Sequence, residues 1–475
     1  MLIATPCPQC GGEIEFLEEA QAVKCQYCGS LLQVVGTDGV RKYYLEPKTD
    51  EERIKKALMK GLSQKKKLKI NCLNSRLIFY PYWWVKGMVF KWFLGKKTIP
   101  HKLNGVPDTW ENVKELKTHL FDHTFPANGE ILLGPLSLGI RTSALRVRAF
   151  NQKEIEKWGF PLKETISYEQ AKNYVEKQKG KVLKLKNIDI EMEKVGLIGE
   201  RYSLIFFPIW AFTISSSQGE AEILIDGVSH SVINIPQKEK RPLLLNLREK
   251  NFGFSQGDIR FIPYRCPICG WDFNFHPFNI IHLCTTCGRA WRERGGSYKE
   301  VPYKVAKGKG DQKKLYLPFW TFRVFLIAPE EKVSTLDKFY HYFPIPRLIK
   351  KEKQRQPIKF YIPAFRIKNI PVVNKFSTLF TQHQPQTEYL EKEAILKHDF
   401  GDIFLSSKEA KEMAEILLFS LIPKNSRKAK KFVSQAQIRF SREQLEWYPF
   451  LEKGIFFREE NTGFALQKGA VEVHH

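Results

Sequence analysis

The chain has 475 residues, 43% of them hydrophobic, and its 76 Lys and Arg outnumber its 51 Asp and Glu to give a formal net charge of +25. That length accommodates roughly two to four packed domains, and the apolar fraction excludes a wholly disordered chain. The cationic excess favours anionic partners such as nucleic acid, an acidic protein or an anionic membrane surface, although a Lys- and Glu-rich heat-adapted surface has the same composition.

In chain order, the segment Met-Leu-Ile-Ala-Thr-Pro-Cys lacks the basic start and apolar stretch of a secretory signal. Residues 1–36 hold Cys7-x-x-Cys10 and Cys25-x-x-Cys28, with Glu13, Glu15, Glu18 and Glu19 between them, an acidic tip that would repel phosphate. Residues 44–150 are expected to form a first α+β domain. Thr49-x-x-Glu52 opens a helix carrying Ile54, Ala57, Leu58 and Leu62 on one face, followed by Lys65, Lys66, Lys67 and Lys69. The apolar stretch 77–94 is interrupted by Pro81, Lys86 and Lys91, which argues against a membrane span. His119 and His123 would share one face of a helix, with a surface pair the expected outcome. Cys72 is expected to be a buried, inert thiol.

Residues 151–262 are expected to form a second α+β domain. Ser167-x-x-Gln170 caps a helix with Ala171, Tyr174 and Val175, the Lys cluster 177–186 follows, and Asp226-Gly227 marks a hairpin turn. Gly253-Phe254-Ser255-Gln256-Gly257 has the letters of a nucleophile elbow without the apolar strand before it or the helix after it, so no nucleophile is expected there. Residues 263–296 repeat the cysteine pattern as Cys266-x-x-Cys269 and Cys284-x-x-Cys287. A C-terminal α+β domain is expected over 301–475, with basic runs at 304–314, 350–355 and 427–431 and a capping box at Ser406-x-x-Glu409 ahead of Ala410, Met413, Ala414, Leu417 and Leu418.

Eight of the nine cysteines fall in these pairs, and each pair is followed at once by a glycine: Gly11, Gly29, Gly270 and Gly288. A C-x-x-C turn points two sulfurs at one ion, and two such turns complete a tetrahedron of four thiolates, the environment of structural zinc. Two structural Zn2+ ions are therefore expected. Iron is the alternative that four thiolates also suit. With four sulfurs per ion, no coordination place is open for a catalytic water. Aromatic and basic residues crowd the second set. Trp271, Phe275, Phe278, Arg289, Trp291, Arg292 and Arg294 are candidate partner-binding residues, with packing against a neighbouring domain the competing expectation for the rings.

One strand pattern recurs in the body: Phe79-Tyr80-Pro81-Tyr82-Trp83, Phe206-Phe207-Pro208-Ile209-Trp210 and Tyr316-Leu317-Pro318-Phe319-Trp320, with weaker copies at Tyr361-Ile362-Pro363-Ala364-Phe365 and Trp447-Tyr448-Pro449-Phe450-Leu451. Alternation after each proline describes half-buried strands, and the proline suits a strand start or an edge, where no ladder donor is needed. Two ribbons followed by Pro-x-Trp strands suggest a diverged duplication.

The cysteine knuckles resemble the TFIIB-type zinc ribbon, which is rubredoxin-like in knuckle geometry. With the Pro-x-Trp strands, about half the chain resembles a loose group of uncharacterised bacterial zinc-ribbon proteins. The resemblance implies a metal-held fold and no particular activity. Rubredoxins usually separate their knuckles by more residues, so zinc is favoured over iron. A helicase label, sometimes attached to such proteins, finds no phosphate-binding G-x-x-x-x-G-K-[ST] loop here.

The expected fold is therefore α+β: two four-cysteine zinc ribbons plus antiparallel β-rich domains built from repeated Pro-x-Trp strands, with a few flanking helices. The expected function is a cytoplasmic, non-enzymatic zinc-binding scaffold or adaptor with a protein partner. Nucleic-acid binding through the second ribbon and the basic clusters is the alternative, and an enzyme with an unrecognised pocket the further one. An anionic membrane surface met by Trp83, Trp84 and Trp92 ranks below these. No catalytic residue, cofactor-binding residue or small-molecule substrate is identified.

Overall fold

A computed structural model describes residues 1–36, 39–48, 50–66, 71–99, 109–130, 145–217, 219–233, 259–310, 312–345, 354–391 and 398–472. Among them are seven α-helices and many mostly antiparallel strands, a mixed α+β fold. The chain forms two compact units: residues 1–87, 121–178 and 200–262 make the first, and 88–120, 179–199 and 263–475 the second. Three long strands, Asn71–Ile99, Thr109–Pro126 and Ile188–Ser216, each belong partly to one unit and partly to the other. Linear boundaries cannot express such an interleaved division.

Proline organises the first unit. Pro81 has no N–H to donate, but its carbonyl is free to accept. It takes the Ala127 amide at 2.9 Å, and the Ala127 carbonyl then takes the amides of Thr165 at 3.0 Å and Ile166 at 2.9 Å. The Trp83 indole N–H donates to the Ile166 carbonyl at 2.9 Å. Ser167 follows and caps the helix Tyr168–Val182, exchanging bonds with Gln170. Strand Phe160–Pro161 runs parallel to residues 78–79, extended by the Leu162 amide bond to the Phe79 carbonyl at 2.9 Å. Strand Arg41–Tyr44 runs parallel to residues 203–206, and the Leu45 amide continues the ladder to the Phe206 carbonyl at 3.0 Å. The Pro208 carbonyl accepts the Gly227 amide at 2.8 Å, closing a hairpin whose turn is held by Asp226 accepting from the Val228 and Ser229 amides. Tyr82 and Phe207 meet edge to face at 5.2 Å.

Bond for bond, the second unit has the same framework. The Pro318 carbonyl accepts the Ala364 amide at 2.9 Å, the Ala364 carbonyl accepts Phe404 at 2.7 Å and Leu405 at 2.9 Å, and the Trp320 indole donates to the Leu405 carbonyl at 2.8 Å. Ser406 and Glu409 then form the capping box of helix Ser407–Leu421. Strand Asp399–Phe400 runs parallel to residues 315–316, and the Gly401 amide donates to the Tyr316 carbonyl at 2.8 Å. Tyr303–Val305 runs parallel to residues 445–447, with the Ala306 amide on the Trp447 carbonyl at 2.8 Å. The Pro449 carbonyl accepts the Glu460 amide at 2.9 Å, Glu459 holds the turn by accepting from Thr462, and Phe319 meets Tyr448 edge to face at 5.5 Å. Trp320 and Trp447 join one core with Phe322, Val324 and Ile416, while Phe319, Phe376, Phe380 and Tyr448 build a second core on the other side of the sheet.

Several expectations change here. His119 and His123 lie on a strand, not a helix, and four residues of strand separate them by about 13 Å, too far to share an ion. Cys72 is half-buried, with its thiol near the Asn74 carbonyl at 3.6 Å. The helix expected from Thr49 is Glu51–Lys66, started by Asp50 accepting from the Arg53 amide at 2.9 Å; Thr49 itself lies outside the described residues, as does 253–257. Helices Gln152–Trp158, Ile370–His383 and Arg427–Gln435 were missed because Asn151, Asn369 and Ser426 cap them without a Ser/Thr-x-x-Glu/Gln signature. Leu336–Tyr342 was also missed, and no side chain caps it at Thr335. No helix among the described residues is long and apolar enough to cross a membrane. Trp83, Trp84 and Trp92 are all buried.

Trp320→Ala is expected to cost about 3–5 kcal/mol. Trp320→Phe keeps a ring but leaves the Leu405 carbonyl without its donor, at a cost of about 1–3 kcal/mol. Both should lower the melting temperature, and an unchanged value for Trp320→Phe would show that the indole bond is dispensable.

Candidate metal centres

Each C-x-x-C segment is the same tight turn. The first cysteine's amide donates to the carbonyl five residues on, as in Cys7 to Gly12 at 2.8 Å, Cys25 to Ser30 at 2.9 Å, Cys266 to Trp271 at 2.8 Å and Cys284 to Arg289 at 2.8 Å. The glycine after the second cysteine donates back to the first cysteine's carbonyl in all four turns. That return needs a left-handed backbone, and Gly11, Gly29, Gly270 and Gly288 have φ of 75°, 74°, 75° and 67°. The amides of Gly12, Ser30, Trp271 and Arg289 meanwhile reach the sulfurs of Cys10, Cys28, Cys269 and Cys287.

The turns bring the sulfurs into two groups of four, each with all sulfurs within 4.8 Å of one another. Cys7 to Cys28 is 3.9 Å and Cys10 to Cys25 is 3.8 Å in the first, and Cys266 to Cys287 is 3.7 Å and Cys269 to Cys284 is 3.4 Å in the second. A regular tetrahedron with zinc–sulfur bonds of about 2.3 Å has edges of about 3.8 Å. The donor set and its spacing fit a four-coordinate metal ion, and no cysteine is in a disulfide.

Thiols within one group differ in readiness to ionise. The Ser30 hydroxyl and amide pull Cys28 down to about 6. For Cys10, the Gly12 amide pulls down, but burial and the thiols of Cys28, Cys25 and Cys7 outweigh it and push the group up to about 12. In the second group burial opposes ionisation of Cys266, but the Cys269 and Ile268 amides bring it down to about 7, while Cys269, Cys284 and Cys287 are all raised. Cys28 therefore ionises more readily than Cys10, and Cys266 more readily than Cys269, Cys284 and Cys287; the charge of a bound ion would drive off the remaining protons.

The interior of the second ribbon holds polar groups that bond one another, although the buried Trp291 indole N–H finds no partner among the described residues. Buried Tyr264 and His282 share a bond of 3.0 Å between hydroxyl and Nδ1, and burial pushes His282 down to about 3, so its ring stays neutral. Asn279 donates to Asp402 at 3.1 Å and accepts the Ile403 amide at 3.1 Å, tying the ribbon to its own unit. The bond that His276 makes to Asp402 raises its pKa. Asn279 carried no signal in the sequence, because a single Asn between knuckles has no periodicity or spacing to mark it.

The candidate partner-binding residues are divided. Trp271 is 66% exposed, and Phe275, Arg289 and Arg294 are also exposed. Trp291 is buried at 6%, paired across the strand ladder with His282. Phe278 stacks on Phe404 under the Arg366 guanidinium. Arg289 pairs with Glu300 at 3.2 Å, and half-buried Arg292 lies directly opposite Lys299. Some members of the basic runs are paired with carboxylates. Lys430 pairs with Glu191, Lys431 with Glu330, Lys307 with Glu388 and Lys313 with Asp399. Lys67, Lys69, Lys350, Lys351 and Lys353 lie outside the described residues. In the first unit, a 380 Å³ cleft is lined by Tyr44, Glu46, Glu154, Lys157 and Trp158; the Tyr44 hydroxyl donates to Glu154 at 2.7 Å and Glu46 pairs with Arg148.

No protein-family model matches the chain, and neither the curated proteins nor the solved structures contain a match.

Because three thiols of the second group are raised and the fourth sits near neutrality, zinc binding there at pH 7 should release roughly three protons. An indicator dye in weakly buffered solution would measure them, and acidification should reverse the binding. Zinc uptake without proton release would contradict the thiol assignment.

Proposed function

We propose that the chain is a zinc-stabilised, non-enzymatic scaffold made of two copies of one module, each headed by a four-cysteine zinc ribbon and braced by Pro-x-Trp strands. The observation that carries this reading is the pair of four-sulfur groups at tetrahedral spacing. An ion held by four sulfurs has no place left for water or substrate, so its contribution is to folding. The matched bonds at Pro81 and Pro318, Ala127 and Ala364, and Trp83 and Trp320 support the duplication. Eight thiols kept for metal suit a reducing compartment, and the cytoplasm is the proposed location. The exposed ribbon surface around Trp271 and Phe275 suits contact with another macromolecule, a protein being the first candidate. Nucleic acid is the second reading, and a specific feature of the second unit favours it.

Metal analysis of freshly purified, reduced protein should find about two zinc ions per chain. Cys25→Ser should remove one and leave the other, and Cys284→Ser should do the same at the second site. Well under two equivalents in the parent, or loss of both ions in either variant, would overturn the two-ribbon reading.

A further inference from the structure

Strand Leu315–Ile327 of the second unit is paired on both sides, with Lys359–Pro363 and with Gln437–Lys453. Directly paired residues share a face, and so do alternate residues along a strand. One face buries Trp320, Phe322, Val324 and Leu326. The other face is covered by helix Ile370–His383 at one end, where Phe319 and Tyr361 pack on Phe376 and Phe380. The cover stops at Gln384, whose side chain bonds both the amide and the carbonyl of Lys359.

Beyond that point the same face continues uncovered by the helix and strongly basic. Arg323 is opposite both Arg442 and Lys359, Phe325 is opposite Arg439, and Ile327 is opposite Lys332. Arg323, Lys332, Arg439 and Arg442 are exposed, and none of these four forms an ion pair among the described residues. Arg323 and Lys332 instead flank the half-buried Phe325 ring, at 5.8 Å and 4.5 Å from its centroid. The first unit treats the matching position differently. Lys86 stands where Arg323 does and is paired with Glu19 of the first ribbon, and Asp122 stands where Lys359 does. There an internal carboxylate meets the cation, whereas in the second unit only Lys359 reaches a carboxylate, Glu446 at 4.0 Å, and Arg323, Lys332, Arg439 and Arg442 meet none among the described residues.

The geometry points to this face as a binding surface for single-stranded nucleic acid. Cations repeating about every 7 Å along paired strands follow a phosphate backbone, and an aromatic ring among them offers a base a stacking partner. An acidic protein or an anionic lipid surface would use the charges but has no base to lay on Phe325. The inference builds on the reading of the chain as a binding protein. Its failure is separable from failure of that reading, because metal content and oligonucleotide affinity are measured independently.

The test uses the full zinc-loaded chain and a fluorescently labelled 20-nucleotide thymidine oligomer in anisotropy titrations across salt. Arg323→Gln, Arg439→Gln and Arg442→Gln combined should weaken binding about tenfold or more and flatten the salt dependence by about two units of slope, as expected for three lost contacts to a single strand. A charge-matched control, Lys56→Gln with Lys60→Gln and Lys153→Gln, should change neither appreciably. Phe325→Ala should weaken binding with little change of slope. Unchanged melting temperature and zinc content would establish that the variants are folded. Equal weakening by the control, equal affinity for a duplex of the same length, or loss of binding to phosphatidylserine vesicles without loss of oligonucleotide binding would each overturn the proposal.

Discussion

In both units a proline carbonyl, unable to be part of an ordinary reciprocal ladder, accepts one alanine amide, and that alanine's carbonyl accepts two more amides just ahead of a capped helix. The tryptophan two residues after the proline closes the arrangement by donating its indole N–H to the carbonyl before the capping serine. Three segments far apart in sequence are thereby locked to one another by four hydrogen bonds around a buried ring. An unpaired buried carbonyl would cost about 1–3 kcal/mol, so the members support one another and the loss of one exposes the rest. Everything else in each unit is placed relative to this clasp: the parallel strand after the ribbon, the hairpin with its acidic turn, and the helix that starts at Ser167 or Ser406.

The ribbons add a second constraint of a different kind. Their turns hold few apolar contacts of their own, and the four sulfurs gather because a glycine at each knuckle allows the chain to fold back while amides point at sulfur. On the proposed reading, an ion held by the four sulfurs would supply the free energy that so short a segment cannot obtain from burial. The two ribbons meet their own units through different chemistry. In the first, Arg41 donates to the Glu18 carbonyl and Glu19 pairs with Lys86; in the second, Asn279 and Asp402 make the junction. The same framework therefore carries one ribbon that neutralises a cation of its sheet and another that leaves the corresponding sheet face basic. Between the two units the surface charges differ while the bonds of the clasp are the same.

The cysteine sets and the Ser167 and Ser406 capping boxes were legible in the sequence because each is a local pattern whose chemistry acts over a few residues. The segments around Pro81, Pro208 and Pro318 are strands, but they are buried at successive positions and carry the proline inside the strand, not half-buried with proline at a start or an edge as expected. Spacing alone determined which eight sulfurs gather, since a C-x-x-C turn followed by glycine admits little else. Helices capped by a lone Asn or Ser were not legible, and the tertiary packing of Ile370–His383 against Lys359–Pro363 decided that one. The histidines are exposed as expected, but their setting was misread as a helix because period alone does not separate a polar strand from a polar helix. Tertiary structure also decided that Trp291 is core and Trp271 is surface, although both sit beside a knuckle. It decided, too, where charge accumulates. The basic runs visible in the sequence are in several cases paired with carboxylates, whereas Arg323, Lys332 and the pair Arg439 and Arg442 come from three strands and meet only through ladder register. Sequence determines what each residue offers over a turn or two of chain; which offers share a face is set by long-range pairing, which no local spacing encodes.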